Sequence, residues 1–214
     1  MPIQDTKEWK QAIRMRPAQN RVLSEVFGVN ECNILRYEQE GGPHILDSEF
    51  AIDLKLILPC GAQLSGQEKA LSHQFYKFRT FTIEFYQNRY HQEPGEFFKI
   101  ASQFYLSGYS NSSGDDFIEW HIVKMFDFIN WIRCCKTEEL ARRCKPAGGS
   151  RASFLPVPYD KIPRDFIYAS GGGPGETHVY GNIRNLIKKP EAATSGSGMV
   201  NPYQGINQPS HATA

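Results

Sequence analysis

Residues 50–69 read FAIDLKLILPCGAQLSGQEK, and the fold turns on how this stretch pairs with itself. From Phe50 to Leu58 the even positions are Phe50, Ile52, Leu54, Leu56 and Leu58, all apolar, and the odd ones are Ala51, Asp53, Lys55 and Ile57. That two-residue period predicts a strand with one wholly apolar face and an acid on the other. Pro59-Cys60-Gly61 fits a three-residue hairpin loop, in which Pro presets the first turn position and Gly takes the left-handed one. With that loop Leu58 pairs with Ala62, and Asp53 falls opposite Gln67. Gln63, Ser65 and Lys69 then share the Asp53 face. Glu68 falls on the face of Leu54 and Leu56, so it needs a bulge, a charge partner such as Arg79, or a register shifted by one residue.

Outward from the hairpin, Arg79 to Tyr86 alternates again, with Phe81, Ile83 and Phe85 on one face and Thr80, Thr82 and Glu84 on the other. Phe97, Ile100, Ala101 and Phe104 suit a helix, while Phe104 to Tyr109 suits a strand, and the pattern leaves both open. Trp120 to Met125 reads as a strand and Phe126 to Cys135 as a helix; Phe154 to Ile167 reads as a closing strand and loop. Towards the N-terminus, Asp5 caps a short helix carrying Trp9 and Ile13. Pro17 opens a second helix, which Gly28 ends, with Ala18, Val22, Leu23, Val26 and Phe27 as its buried stripe. The expected fold class is α/β, a mixed central sheet flanked by helices.

Composition changes near residue 169, where aromatic periodic segments give way to Gly, Pro, Ser, Thr and Asn. Such a segment buries too little apolar surface to offset its chain entropy. The expected division is therefore a folded domain over 1–168 and a mostly disordered tail over 169–214. The patch Val179 to Lys189 is reserved for a strand or helical turn formed on a protein partner. Gly171-Gly172-Gly173-Pro174-Gly175 lacks the strand-to-helix bracket of a phosphate loop. No apolar run approaches the ~18 residues of a membrane span, and the polar start does not read as a secretory signal. Five cysteines, an odd number, point to reduced thiols and a cytoplasmic setting. The cysteines and histidines show no zinc spacing. A formal net charge of +1 means that any nucleic-acid surface must be local.

The chemistry gathers on the hairpin. A carboxylate (Asp53), a side-chain amide oxygen (Gln67) and the backbone carbonyl of Glu68 form a partial shell of hard oxygen ligands, which suits Mg²⁺ or Mn²⁺. Lys69 beside such a metal can position an attacking water and offset charge building on a phosphate. His73, Lys77 and Arg79 follow as candidates to line a nucleic-acid groove. Singly, Gln67 and Lys69 would pass for a solvated strand face; their register with Asp53 sets them apart.

The order of these features is an acid-bearing helix, Ile52-Asp53, the hairpin, Gln67-x-Lys69 and Thr82-Ile83-Glu84-Phe85. After them come Lys99-Ile100-Ala101-x-x-Phe104-Tyr105, the strand from Trp120 to Val123, and Phe128-x-x-Trp131. This resembles the PD-(D/E)XK nuclease superfamily, in the branch with Gln in place of the second acid, over residues 16 to 167. The resemblance implies a restriction-endonuclease-like fold, with Asp53 and Gln67 as metal ligands and Lys69 as the catalytic lysine. It adds Glu25 as the first-helix acid. No Pro precedes Asp53, and Gln67 supplies one negative charge fewer than the usual acid, which leaves Glu84 as a substitute acid. The expected activity is metal-dependent hydrolysis of DNA, by an endonuclease or exonuclease. The alternative is a non-catalytic nucleic-acid-binding or virion-associated scaffold that keeps the fold. The expected partner is DNA; a homodimer and a protein partner for the tail stay open, and no membrane is expected.

Overall fold

The computed structural model describes residues 7–37, 45–146, 151–172 and 175–180. The described residues open with one helix, α1 (Lys7–Phe27), which passes straight through Pro17. The break expected there does not occur. Pro17 lies on the exposed side, where the carbonyl its ring leaves unbonded can turn to water. Met15, Ala18, Val22, Leu23, Val26 and Phe27 recur at helical spacing and are buried, and Gly28 at φ +65° ends the helix.

A short strand β1 (Ile34–Arg36) and helix α2 (Ile45–Phe50) lead to the hairpin of β2 (Leu54–Ile57) and β3 (Gln63–Leu71). Its register runs Leu54↔Gly66, Lys55↔Ser65, Leu56↔Leu64 and Ile57↔Gln63, closed by Leu58 N–H to Ala62 O at 2.8 Å, as the loop predicts. Gly61 takes the left-handed position at φ +86°. The strand starts later than its alternation suggests, because Phe50 ends α2 and Ala51 turns at φ +48°. An apolar residue at every second position does not distinguish a strand from a helix end followed by a turn.

Strands β4 (Thr80–Asn88) and β5 (Glu93–Pro94) and the single turn α3 (Glu96–Lys99) precede β6 (Phe104–Ser110) and β7 (Phe117–Lys124). The stretch left open between helix and strand is thus divided between the two. Helices α4 (Met125–Ile132) and α5 (Thr137–Arg143), strands β8 (Lys145–Pro146), β9 (Ser153–Pro158), β10 (Ile167–Gly172) and β11 (Glu176–Val179) complete the described chain. A seven-stranded sheet runs β1-β2-β3-β6-β7-β10-β11, parallel at β3–β6 and antiparallel at its other pairs. A second sheet, β5-β4-β9-β8, is antiparallel throughout.

The layers follow from burial. One face of the large sheet packs Leu54, Leu56, Phe104, Leu106, Trp120 and Ile122 against α1. The other packs Tyr105, Tyr109 and Val123 against the small sheet, α4 and α5 through Phe81, Ile83, Phe85, Phe128 and Leu155. β6 is buried at all seven positions because it lies between both layers. The fold is therefore mixed α/β, a large central sheet flanked by helices, with the second sheet as an additional layer.

The domain boundary moves. β10 pairs with β7 and β11 with β10, so a break at 168 would cut a strand whose Ala169 is fully buried. The described fold runs to Tyr180, and the expectation of a disordered segment from 169 is corrected for 169–172 and 175–180. The Gly-rich composition misled because small residues are what this close pairing accepts: a Cβ on Gly171 would come within 1.9 Å of Glu176 O. The patch Val179 to Lys189 lies outside the described residues beyond Tyr180, as does the rest of the tail. No helix among the described residues is long and apolar enough to cross a membrane.

Candidate active site

The hairpin ladder changes step at Asp53. Its N–H donates to Gly66 O at 2.9 Å, although Gly66 already pairs with Leu54, the two-against-one count of a β-bulge. Its carbonyl accepts the N–H of Tyr37 at 2.8 Å, so the residue is pinned from both sides. Its carboxylate Oδ2 accepts the backbone N–H of Glu68 at 3.0 Å. Asp53 thus brackets Gln67, bonding the residue before it and the residue after it. The expected direct Asp53–Gln67 opposition becomes this bracketing contact.

The surroundings of the carboxylate are unusual. Burial pushes the Asp53 carboxyl well above the ordinary carboxylate range; the Glu68 N–H opposes that rise, and the charges of Asp47, Glu68 and Glu96 add to it. Among the described residues no cationic side chain forms an ion pair with Asp53. Gln67 Oε1 is buried and, among the described residues, has no hydrogen-bond partner. A buried amide oxygen left without a partner costs stability unless something not belonging to the chain occupies it.

Glu68 resolves its own puzzle through a charge partner, and that partner is Arg36, not Arg79. Arg36 Nε and Nη2 donate to the two Glu68 oxygens at 2.7 and 3.0 Å, and Arg36 Nη1 donates to Asn20 Oδ1 at 2.8 Å. The Glu68 side chain is therefore committed. Its backbone carbonyl points to the same strand edge as its N–H, the edge facing Asp53.

Lys69 continues the strand, and its ammonium lies 4.6 Å from the centre of the Phe154 ring. Glu84 on β4 lies within its electrostatic reach: burial raises the Glu84 carboxyl, Lys69 and Lys99 lower it, and Glu96 raises it. A cleft of about 660 Å³ opens here, lined by Gln19, Tyr37, Asp47, Asp53, Glu68 and Lys69 among others. A second cleft of about 460 Å³, sharing Gln11 and Ser72 with the first, is lined by Lys10, Arg14 and His73.

The remaining predicted residues divide. His73 and Lys77 are exposed on the 3-10 helix His73–Phe78, His73 at the second cleft and Lys77 stacked 5.1 Å from the Phe78 ring. Arg79 is already engaged, donating to both oxygens of Glu119 at 3.0 and 2.7 Å. Glu25 is corrected outright. Its Oε2 accepts from Thr177 Oγ1 at 2.9 Å, on β11, at the far edge of the large sheet from β2. It stands a turn and a half beyond the part of α1 that reaches the cleft. The α1 residues that line it are Trp9, Gln11, Ala12 and Gln19, and Gln19 left a signal in the sequence, as an amide set between Met15 and Val22 in an apolar stripe. Arg36 left no such signal, because its partner lies 32 positions away.

Asp53, Gln67 Oε1 and the Glu68 carbonyl are hard oxygen donors at one end of one hairpin, the donor type that Mg²⁺ and Mn²⁺ take, although Gln67 is not among the residues that line the cleft. Among the described residues, no three His, Cys, Asp or Glu side chains converge to hold a metal, so a shell here rests on one carboxylate plus amide and backbone oxygens. Comparison with protein families, with curated proteins and with solved structures finds no match for this chain.

Proposed function

We propose that this chain is a metal-dependent nuclease hydrolysing DNA phosphodiester bonds at the β2–β3 hairpin. One observation carries the reading: a buried carboxylate with no cationic partner among the described residues brackets a residue whose buried amide oxygen also has no partner among them, with Lys69 two residues further along the same strand. A buried carboxylate held by one backbone N–H and a buried amide oxygen without a partner among the described residues are costly, and a divalent cation bound by both would remove that cost.

Asp53, Gln67 Oε1 and the Glu68 carbonyl would hold the cation. When bound, Mg²⁺ or Mn²⁺ supplies Lewis-acid polarisation of the phosphate and eases ionisation of water. The chain's own part is positional and electrostatic. The Glu68 N–H fixes the Asp53 carboxylate in one orientation. Phe154 limits where the Lys69 ammonium can swing, holding a positive charge at the cleft where a phosphorane-like charge would build. His73, at the adjoining cleft, and Lys77 remain candidates for backbone phosphates, each contact being sequence-independent.

The test is a cleavage assay on plasmid, linear and single-stranded DNA and on RNA, in Mg²⁺ and in Mn²⁺, comparing wild type with Lys69→Ala. Cleavage of DNA by wild type, lost in Lys69→Ala, is the expected result. Wild type that cuts nothing turns the reading to a non-catalytic scaffold. Cleavage by Lys69→Ala at the wild-type rate moves the active centre elsewhere.

A further inference from the structure

The second cleft, of about 460 Å³, adjoins the one that holds Asp53 and Lys69, and the charges that line it have one sign. Lys10 and Arg14 of α1 line it together with His73, and no Asp or Glu among the described residues does. All three side chains are exposed. Lys10 and Arg14 stand four residues apart, so they share one face of the helix and repel each other, a cost that a bound anion removes. In a chain with a formal net charge of +1, this grouping is the local positive surface that an anionic polymer requires.

The walls are tied to one another. Arg14 Nη1 donates to Ser113 O at 3.1 Å, which joins α1 to the loop between β6 and β7 and leaves the rest of the five-donor fork without a hydrogen bond among the described residues. In that loop Asn111 Oδ1 accepts the N–H groups of Gly114 and Asp115 at 2.8 and 3.1 Å. Asp115 is within electrostatic reach of Arg14, but its Oδ1 accepts from Asn111 Nδ2 at 2.8 Å and Ser113 Oγ at 2.6 Å, and it does not line the cleft. The floor is continuous with the first cleft. Lys69 to Ser72 line the first, Ser72 and His73 the second, and Gln11, whose Nε2 donates to Ala70 O at 3.4 Å, lines both.

We infer that the DNA strand cut at the hairpin continues into the second cleft, where Lys10 and Arg14 pair with its backbone phosphates and His73 donates a hydrogen bond to one of them. The inference rests on the nuclease reading and adds a substrate-binding site on α1. From Lys69 to Ser72 the extended chain advances about 10 Å, roughly the rise of three nucleotides along one strand, so the site takes phosphates some three steps from the broken bond. Contacts of this kind position the strand and serve any sequence.

The experiment measures anisotropy of fluorescein-labelled DNA oligonucleotides, single-stranded and duplex, in EDTA so that no cleavage intervenes. Wild type is compared over a salt series with the double variant Lys10→Gln/Arg14→Gln, which keeps an amide donor for Ser113 O, and with the charge-preserving Lys10→Arg/Arg14→Lys. Arg142→Gln, exposed on α5 in the opposite layer, is the control, and melting temperatures are taken alongside. The Gln double variant should lose about tenfold in affinity per charge near 0.1 M salt, and its plot of log K against log salt should be shallower by about 2. The charge-preserving variant should keep the wild-type slope, and Arg142→Gln should change neither quantity. Where wild type cuts in Mg²⁺ or Mn²⁺, the Gln double variant should raise KM and hold kcat at saturating DNA. A Gln double variant with wild-type affinity and slope overturns this site alone, as does an equal loss in Arg142→Gln. A lowered melting temperature with affinity not retained in the charge-preserving variant makes the pair structural and overturns it too. Should the Gln double variant not fold, Lys10→Gln replaces it, and its slope must be shallower by about 1. Wild type that binds no oligonucleotide defeats the nuclease reading and this site together. Wild type that binds through this cleft but cuts nothing keeps the site and defeats the nuclease reading.

Discussion

Asp53 is held where a free carboxylate would not choose to be, and that gives it a measurable signature. Its folded pKa lies above the ordinary value of 3.8, so the folded state binds the proton more tightly than the unfolded chain does. That contribution to stability is complete below the ordinary carboxyl pKa and is lost as pH rises through the folded value. Asp53→Asn should therefore raise the melting temperature of the metal-free protein at about pH 8 and change it little near pH 4. Equal effects at both pH values would mean that the carboxylate is not buried as described. Metal binding carries the opposite sign, since the cation competes with the proton. Mn²⁺ affinity should climb with pH in wild type and drop sharply in Asp53→Asn. Lys69→Ala should keep Mn²⁺ affinity while losing about 10²–10³ in cleavage rate, the usual cost of removing a group that stabilises developing charge. Gln67→Glu, which adds a charge to the shell, should keep or raise both; titration calorimetry and a cleavage time course decide.

At the scale of elements, the hairpin depends on Gly66 and on an ion pair. A Cβ at Gly66 would stand 2.1 Å from Phe104 Cζ, so β3 and β6 come together as they do because this position is bare. Gly66→Ala should cost about 1–3 kcal/mol, the range for overpacking a core, read as a lowered urea midpoint. An unchanged midpoint would show that the ring moves aside freely. Arg36→Met should cost about 3–5 kcal/mol by leaving Glu68 buried and unpaired, and Glu68→Leu in the same chain should recover most of it. The closing strands make a third case. Truncation after Tyr168 removes buried Ala169 and the β10–β11 pair, so the melting temperature should fall by several degrees. No change would restore the boundary at 168.

Across the whole molecule, a charged cluster bridges the two sheets beside their shared apolar core. Arg79, just before β4 of the small sheet, is paired with Glu119 on β7 of the large one, and His121 Nε2 lies 3.1 Å from the same carboxylate. Burial pushes the Glu119 carboxyl up, but the bonds from His121 and Arg79 outweigh it and bring it down to about 2 from 4.5. A depressed carboxyl stabilises the fold above its unfolded pKa, and the contribution is lost as pH falls through the folded value. Stability that depends on Glu119 should thus decline between 4.5 and about 2, and Glu119→Gln should flatten that part of a melting-temperature profile. The effect is reduced by solvent, because the Arg79 side chain is 64% exposed. A wild-type profile already flat over that interval would remove the bridge. The same pairing explains why Arg79, an expected groove residue, is not free for phosphate.

What the sequence by itself determined is local. The period-two alternation and Pro59-Cys60-Gly61 specify the hairpin and its register from Ile57 to Leu54, because strand faces and turn geometry depend on a few adjacent residues. The same reasoning brought Asp53, Gln67 and Lys69 to one end of one hairpin. The helical spacing of α1 likewise identified its buried stripe. Only the tertiary structure decided that Glu25 turns away from that end to Thr177 on β11, since the direction a polar residue of α1 faces is set by packing alone. It also decided that Arg36 neutralises Glu68, a contact between residues 32 positions apart for which no periodicity prepares. And it decided that a Gly-rich stretch forms β10, because tolerance of close strand approach becomes visible only once β7 and β11 are beside it. Local conformational preference is encoded residue by residue; the partners of buried charges and amides are set by which surfaces the collapsed chain brings together.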